Sequence, residues 1–503
     1  MIALSVAEIA EIVGGRLCDI TATRAAQTRV SGTVEFDSRR ISAGGLFLAL
    51  PGARVDGHDH AAAAVAAGAV AVLAARPVGV PAIVVDPVPG DRRAGVLEHD
   101  SDGSGAAVLA ALAKLAAAVA ARLVAGGLTI IGVTGSSGKT STKDLLAAVL
   151  SPLGEVVAPP GSFNNELGHP WTVLNATADT AYLVLEMSAR RRGNIADLAA
   201  IAPPSIAVVL NVGTAHVGEF GSREAIAQTK AELPQAVPES GVVVLNVDDP
   251  AVAAMAATTR ARVVRVSRGP HPPNPGADTV WAGPVRLDPL ARPQFALHSA
   301  AGTVEVTLGV HGDHQVGNAL CAAAVALECG ATPEQVASAL GEARPASTHR
   351  MAVHTRPDGV TVIDDSYNAN PDSMRAGLQA LAWMARQQAP RRSFAVLGEM
   401  AELGADAITE HDRIGRLAVR LDVSRLIVVG TGRAMSAMHH GAVMEGSWGA
   451  ESTMVADTDA ALAVLRSELQ PGDVVLVKAS NSAGLATVAD TLIAEHGGGD
   501  SRR

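Results

Sequence analysis

The run Gly132-Val-Thr-Gly-Ser-Ser-Gly-Lys-Thr-Ser141 follows the apolar stretch Leu128-Thr-Ile-Ile131 and leads into a segment with helical spacing, Lys139 to Leu150. Strand, glycine-rich turn and helix in that order constitute a phosphate-binding loop. Gly135 and Gly138 let the backbone turn tightly enough to aim N–H groups at a polyphosphate, Lys139 brings a mobile positive charge, and Thr140 offers a hydroxyl to Mg²⁺. The nucleotide-contacting set read from the loop is Gly135, Ser136, Ser137, Gly138, Lys139, Thr140 and Ser141, with ATP or GTP as the ligand. The common pattern wants glycine six residues before the lysine, where this chain has Val133, which narrows the family. Lysine itself is scarce, five residues against thirty-five arginines, so each lysine position carries information.

A chain of 503 residues exceeds one ordinary core, and three domains are expected. Hydrophobic residues at 48% suffice for large cores, and aromatics at 2% leave Ala, Val and Leu to fill them. A net charge of −10 argues against a duplex nucleic-acid binder, which needs a basic face to replace counterions. Glu8 and Glu11 interrupt the segment a signal peptide would require, and Lys114 and Arg122 interrupt the alanine-rich stretch Ala106 to Ala125, which reads as a globular helix and not a membrane span. Cys18, Cys321 and Cys329 form no CxxC pair, so neither a disulfide framework nor a zinc site is indicated. A soluble monomer in a reducing cytoplasm is expected.

The polar run Asp100-Ser-Asp-Gly-Ser-Gly105 marks a first boundary, and helical patterning stops near Ala343-Arg-Pro-Ala-Ser-Thr348. The expected fold is α/β in three domains: a small N-terminal α/β unit over 1–103, a central parallel-sheet unit carrying the loop over 104–345, and a C-terminal Rossmann-like unit over 346–503. Tyr182–Glu186, Ile206–Asn211 and Gly241–Asn246 read as buried parallel strands. Thr303–Leu308 alternates as an appended antiparallel hairpin would, beyond a Pro- and Gly-rich segment at 269–275. Thr361–Asp364, Ser393–Leu397, Leu426–Gly430 and Val474–Lys478 alternate with helical segments, as in an open α/β sheet. Gly430-Thr-Gly432 is a tight turn, since a lone GxG without its third glycine is a weak dinucleotide signal, and the tail 497–503 is expected to be disordered.

Glu186 ends one apolar strand and His216 follows another, the strand ends where a nucleotide's metal ion sits in such a sheet. Taken alone, a carboxylate closing a strand is often a helix cap and a single histidine is more often structural than a ligand; their shared position around the loop favours metal binding. With these residues in view, the chain resembles the Mur ligase family, ATP-dependent amide-forming enzymes that build the peptide stem of peptidoglycan. Besides the loop, the resemblance is carried by Asn164-Asn-Glu-Leu-Gly168, Glu186-Met-Ser188, Asn211 to His216, Thr229-Lys-Ala-Glu232, His314 to Asn318, His349-Arg-Met351 and Asp364-Asp-Ser-Tyr-Asn-Ala-Asn-Pro-Asp372. The last stretch resembles the branch that adds D-alanyl-D-alanine to a UDP-N-acetylmuramoyl tripeptide, while the His-Thr-Pro-Asp and Asp-Asn-Pro-Arg strings of the diaminopimelate- or lysine-adding branch do not occur.

The resemblance implies a two-step reaction: a peptide carboxylate attacks the γ-phosphate of ATP, and the dipeptide amine captures the acyl phosphate. It implies catalytic roles for Lys139, Glu186, His216 and Lys230, with Thr140, Glu186, His216 and a CO₂-modified Lys230 holding Mg²⁺. On sequence alone a solvated helix residue is the better reading of Lys230. Asn318 resembles a contact on the adenine side of ATP, and Arg350 and Asp365 resemble groups that reach the phosphates and ribose when the third domain closes. Asp37, Ser38 and Arg39, with Asp56-Gly-His58 behind them, resemble the pattern at the UDP end of the substrate, or else serve as turn and capping residues. Asn164, Asn165 and Ser188 match the muramoyl channel, and Asn368, Asn370 and Ser480 the region nearest the dipeptide. The chain departs from the family at Lys478-Ala-Ser-Asn481, where relatives commonly read Lys-Gly-Ser-Arg, so a cation is missing there. His58/His60 and His311/His314 sit in turns where capping is the expected role. The remaining readings are another Mur ligase or a folylpolyglutamate synthetase, and, in a different class, a P-loop NTPase switch.

Overall fold

A computed structural model describes the chain apart from residues 54, 89–96, 214–219, 270–275, 277, 387–390, 447–450 and 496–503. Three separate major sheets follow one another along the chain. The first has five strands in the order Arg16–Cys18, Ala82–Val84, Ala69–Ala74, Gly45–Leu48, Val34–Glu35, parallel except for Arg16–Cys18. Helix Val6–Val13 precedes it, started by a reciprocal Ser5–Glu8 capping box and stopped by Gly14 in the left-handed region.

The central sheet has ten strands, and seven of them, from Glu155–Val157 across to Thr279–Ala282, run parallel. Their near-continuous Val, Ile and Leu content follows from burial on both faces. Pro293–Ser299 and Gly302–Thr307 add an antiparallel hairpin, the location expected from alternation in Thr303–Leu308. The Pro- and Gly-rich stretch before it lies largely outside the described residues, as does the tail from 496. The strand that feeds the phosphate loop, Thr129–Thr134, lies between Thr180–Glu186 and Ile206–Val209, with Val133 opposite Glu186 and Thr134 opposite Val209. This register brings three carboxyl strand ends to one edge, the place where open α/β sheets bind ligands.

The third sheet has six strands in the order Ala352–Thr355, Thr361–Asp364, Val474–Lys478, Ser393–Leu397, Arg425–Val429, Ser452–Val455, with only the first antiparallel. Its two edge strands escape a periodicity reading because they are four residues long and only partly buried.

Helix Ser104–Ala125 has the length and hydropathy of a membrane span, yet one side of it is buried in protein. Val108, Leu112, Leu115 and Val119 belong to one core with Ile9 and Leu46 of the first unit and Leu183 and Leu198 of the central unit. The helix, which begins at Ser104 inside the polar run 100–105, therefore packs against both units. A second joint is aromatic. Trp171 packs against Phe163 at 4.6 Å and Phe36 at 6.5 Å, and its indole Nε1 donates to Val34 O at 2.8 Å. In a chain this poor in aromatics, three at one contact make it a main fastening of the N-terminal unit. Trp171→Ala is expected to cost about 3–5 kcal/mol. Trp171→Phe, which keeps a ring and leaves Val34 O without its donor, is expected to cost about 1–3 kcal/mol. Urea unfolding followed by circular dichroism checks both; an unchanged midpoint for the alanine variant would show that the joint carries no stability.

Candidate active site

The loop's shape comes from crowding as much as from glycine flexibility. Gly138 has φ +82°, and a Cβ there would lie 2.7 Å from Asn318 Oδ1. A Cβ on Gly135 would lie 2.9 Å from Leu210 Cβ. Asn211 grips the turn from the next strand: its backbone oxygen accepts from Ser136 N at 3.1 Å and its Oδ1 from Ser137 N at 3.0 Å. Those two amides are therefore committed inside the protein, and the anion-facing N–H groups are those of the first turn of helix Lys139–Leu150, which have no intrahelical acceptor. Lys139 Nζ donates to Gly135 O at 2.8 Å, folding the side chain back over the loop. Burial lowers its pKa; the Glu186 carboxylate opposes that shift and Arg350 adds to it.

Thr140 and Glu186 meet at the centre. Thr140 Oγ1 donates to Glu186 Oε2 at 2.9 Å, while Glu186 Oε1 accepts from Ser162 Oγ at 2.9 Å and Asn164 Nδ2 at 2.7 Å. A hydroxyl and a carboxylate beside a phosphate loop are hard oxygen donors of the type Mg²⁺ prefers, so this pair fits that ion. Arg350 arrives from the far side of the second boundary, its Nη2 3.3 Å from Thr140 Oγ1 and its guanidinium 4.2 Å over the Tyr367 ring. Its Nε is buried and has no hydrogen-bond partner among the described residues. Arg350 stands at the loop in this arrangement of the units.

Asp365 pairs with Lys478 Nζ at 2.5 Å and accepts from Met351 N at 3.2 Å. Lys478, 1% exposed, also donates to Asn368 O at 2.9 Å. Asn318, Ser188, Asn368, Asn370 and Ser480 line the same cleft, which measures about 500 Å³. Asn370 Oδ1 also accepts from Ser373 N at 2.9 Å at the start of helix Pro371–Arg386, and Ser480 Oγ accepts from Ala401 N at 2.9 Å.

Other expected residues are placed elsewhere. Asn165 Oδ1 accepts from Leu167 N and Gly168 N at 3.2 and 2.8 Å, at the start of helix Gly168–Val173, and does not line the cleft. Asp37, Ser38 and Arg39 are also absent from the cleft wall. Asp37 and Arg39 form a two-pronged pair at 2.9 and 2.7 Å that holds the Asp37 carboxyl down at about 2, with Arg39 otherwise exposed. His58 bonds Asp56 and Ala75 N, and His311 bonds Leu290 O, both structural contacts. His314, expected to cap, makes no side-chain cap and lines the cleft. His216 lies outside the described residues.

Lys230 sits on helix Arg223–Ala236, started by Ser222, and is 8% exposed. Burial, then the nearby Lys139 charge, push its pKa well below that of a free lysine. The solvated-helix reading is therefore replaced by that of a buried amine held toward its neutral form.

Among the cleft residues that carried no role in the sequence are Arg190, Tyr367, Asp372 and Glu402. Arg190 Nη2 and Glu402 Oε1 meet at 3.3 Å across the central and C-terminal units. Tyr367 and Asp372 lay within a quoted motif, while Arg190 and Glu402 belong to loops with no periodic signal.

The descriptions of three Mur ligase domains match consecutive parts of the chain: the Mur ligase family catalytic domain at 32–118, the middle domain at 133–326 and the glutamate ligase domain at 349–481. The chain is 76% identical to the UDP-N-acetylmuramoyl-tripeptide–D-alanyl-D-alanine ligase of Mycobacterium tuberculosis, over 98% of each chain. It is 33% identical to the Escherichia coli enzyme of the same name, over 86% of each. Among solved structures it is similar to MurF from Acinetobacter baumannii, with a TM-score of 0.79 and 29% identity over 98% of this chain and 99% of that one. It is also similar to the MurF ligase from Thermotoga maritima in complex with ADP, with a TM-score of 0.73 and 27% identity over 93% and 98%.

Lys230 generates the prediction of this site. Lys230→Arg would place a permanent charge beside Lys139 and is expected to remove at least about 99% of turnover, because a guanidinium neither loses its proton nor adds CO₂. Lys230→Ala is expected to regain part of its activity with added acetate. Normal turnover by the arginine variant in steady-state assays would contradict this role.

Proposed function

The chain belongs to the Mur ligase family, and we infer that it joins D-alanyl-D-alanine to a UDP-N-acetylmuramoyl tripeptide at the expense of ATP, as a cytoplasmic monomer supplying peptidoglycan precursors. The observation that carries this reading is the convergence of Thr140, Glu186 and Arg350, drawn from two units, on one cleft large enough for a nucleotide's phosphates and two reacting groups. A nucleotide switch would not need the cations of a second unit at its phosphates together with a peptide-sized wall of Asn368, Asn370 and Ser480.

The tripeptide carboxylate oxygen attacks the γ-phosphorus, and the bond to ADP breaks. The dipeptide amine then attacks the acyl carbon, the carbon–oxygen bond to phosphate breaks, and phosphate departs while the amine loses a proton. Like charges repel throughout the first step, so the site must gather cations where negative charge accumulates. Lys139 and Arg350 are the groups for that task, and the helix N-terminus above Gly138 adds N–H donors. Thr140 and Glu186 would hold Mg²⁺, joined by His216 and a carbamate on Lys230; the ion would neutralise phosphate oxygens. Ser162 and Asn164 orient Glu186. Asn318, which packs against Gly138, would contact the adenine side of ATP, and Asp365, held by Lys478, would contact the ribose. Asn368, Asn370 and Ser480 face the dipeptide, Asn164 and Ser188 the muramoyl peptide, and Asp37, Ser38 and Arg39 the UDP end. We assign residues 1–103 to the UDP end, 104–345 to ATP and 346–503 to the unit that closes over it, with helix Ser104–Ala125 packed against both of the first two.

Purified protein is expected to release phosphate from ATP only when both the UDP-muramoyl tripeptide and D-alanyl-D-alanine are supplied. Lys139→Ala is expected to lower that rate by about 10³-fold with the circular dichroism spectrum unchanged. Phosphate release independent of both peptides would overturn the ligase reading, and near-normal turnover by the alanine variant would remove the loop from the mechanism.

A further inference from the structure

The loop helix Lys139–Leu150 grips the connection between the central and C-terminal units at two points. Thr140 and Asp144 stand at i and i+4, one turn apart on the same helix face. Thr140 Oγ1 accepts from Arg350 Nη2 at 3.3 Å. The Asp144 carboxylate accepts from the Ser347 backbone N–H at 3.0 Å and from its hydroxyl at 3.1 Å. Both ends of segment 347–350 are therefore tied to the element whose first turn binds phosphate.

Lys143 and the chain at 159–161 close the network. Lys143 Nζ lies 2.6 Å from Asp144 Oδ1 and donates to Pro159 O at 2.8 Å, and Ser347 Oγ accepts from Gly161 N at 3.0 Å. The side chains of Lys143 and Asp144 are 3% and 8% exposed, and Ser347 is 1% exposed. Buried charges persist only when paired and hydrogen-bonded, and this pair is both. None of the three residues lines the cleft, so substrate contact does not explain them. Immediately beyond Ser347, His349 and Met351 have φ +58° and +54°, left-handed values that non-glycine residues rarely adopt, and they flank Arg350 on either side.

We propose that Asp144, backed by Lys143, is a positioning residue that acts through Ser347 to aim Arg350 at the phosphates on the loop. The nucleotide-binding helix and the direction of the third unit are coupled through a short strap, with no substrate contact by the residues that set it.

The proposal rests on the functional reading only for the identity of the nucleotide, and a double-mutant cycle tests it. The dissociation constant for a non-hydrolysable ATP analogue with Mg²⁺ is measured for wild type, Ser347→Ala, Arg350→Ala and the double variant, with kcat measured alongside wherever turnover persists. Ser347→Ala alone is expected to weaken binding by about tenfold, the size of effect of breaking one buried hydrogen-bonded pair. In the Arg350→Ala background the same change is expected to alter it by less than about twofold, because the residue through which it acts is gone. Ser347→Thr, which keeps the hydroxyl, is expected to restore most of the affinity. Equal losses from Ser347→Ala in both backgrounds, or no loss in the wild-type background, would overturn the proposal. Wild-type protein that binds the analogue yet fails to ligate would instead contradict the functional reading, leaving the cycle to decide this one.

Discussion

One hydroxyl group holds the site together. Thr140 Oγ1 gives its single proton to Glu186 and accepts from Arg350, so an acidic group of the central sheet and a basic group of the third unit meet on the first turn of the loop helix. Each partner is placed by a different part of the fold. Glu186 is aimed by the register of its strand against Thr129–Thr134, Thr140 by the Gly138 turn wedged under Asn318, and Arg350 by its strained neighbours and the Tyr367 ring. Removing any of these placements would leave charged groups in a cleft without their geometry.

The electrostatics explain why an acidic protein can handle polyanionic reactants. The chain carries a net charge of −10, yet Lys139, Arg190, Arg350 and Lys478 line one cleft. Concentrating cations there costs desolvation energy, which lowers the pKa of Lys139 and Lys478, each shift led by burial. Asp365 and Glu402 offset part of that cost by pairing with Lys478 and Arg190. Anions of the substrates then complete the charge balance, which is how a site can bind phosphate firmly without a basic surface.

Much of this was legible because the residues involved depart from the chain's own habits. A protein that uses thirty-five arginines keeps lysine at 139, 143, 230 and 478, all in or close to the cleft machinery, while Lys114 lies exposed on a helix. The parallel strands announced themselves as unbroken apolar runs, and Glu186 as a carboxylate at the end of one. What escaped was set by tertiary context. The commitment of the Ser136 and Ser137 amides to Asn211, the Asn165 bonds at a helix start, and the Arg190–Glu402 pair all depend on which segments meet in space. Helix Ser104–Ala125 shows the same limit: its start was marked by a polar run, but only packing reveals that it serves two units at once.

The central claim is that a substrate carboxylate is activated as an acyl phosphate between Lys139, Thr140 and Arg350. Transfer of isotope tests it most directly. With ¹⁸O in the reacting carboxylate of the UDP-muramoyl tripeptide, the account predicts one ¹⁸O in each inorganic phosphate released during ligation, because that oxygen first bridges carbon and phosphorus and then leaves with phosphorus. Phosphate free of ¹⁸O, accompanied by normal formation of the amide product, would contradict it.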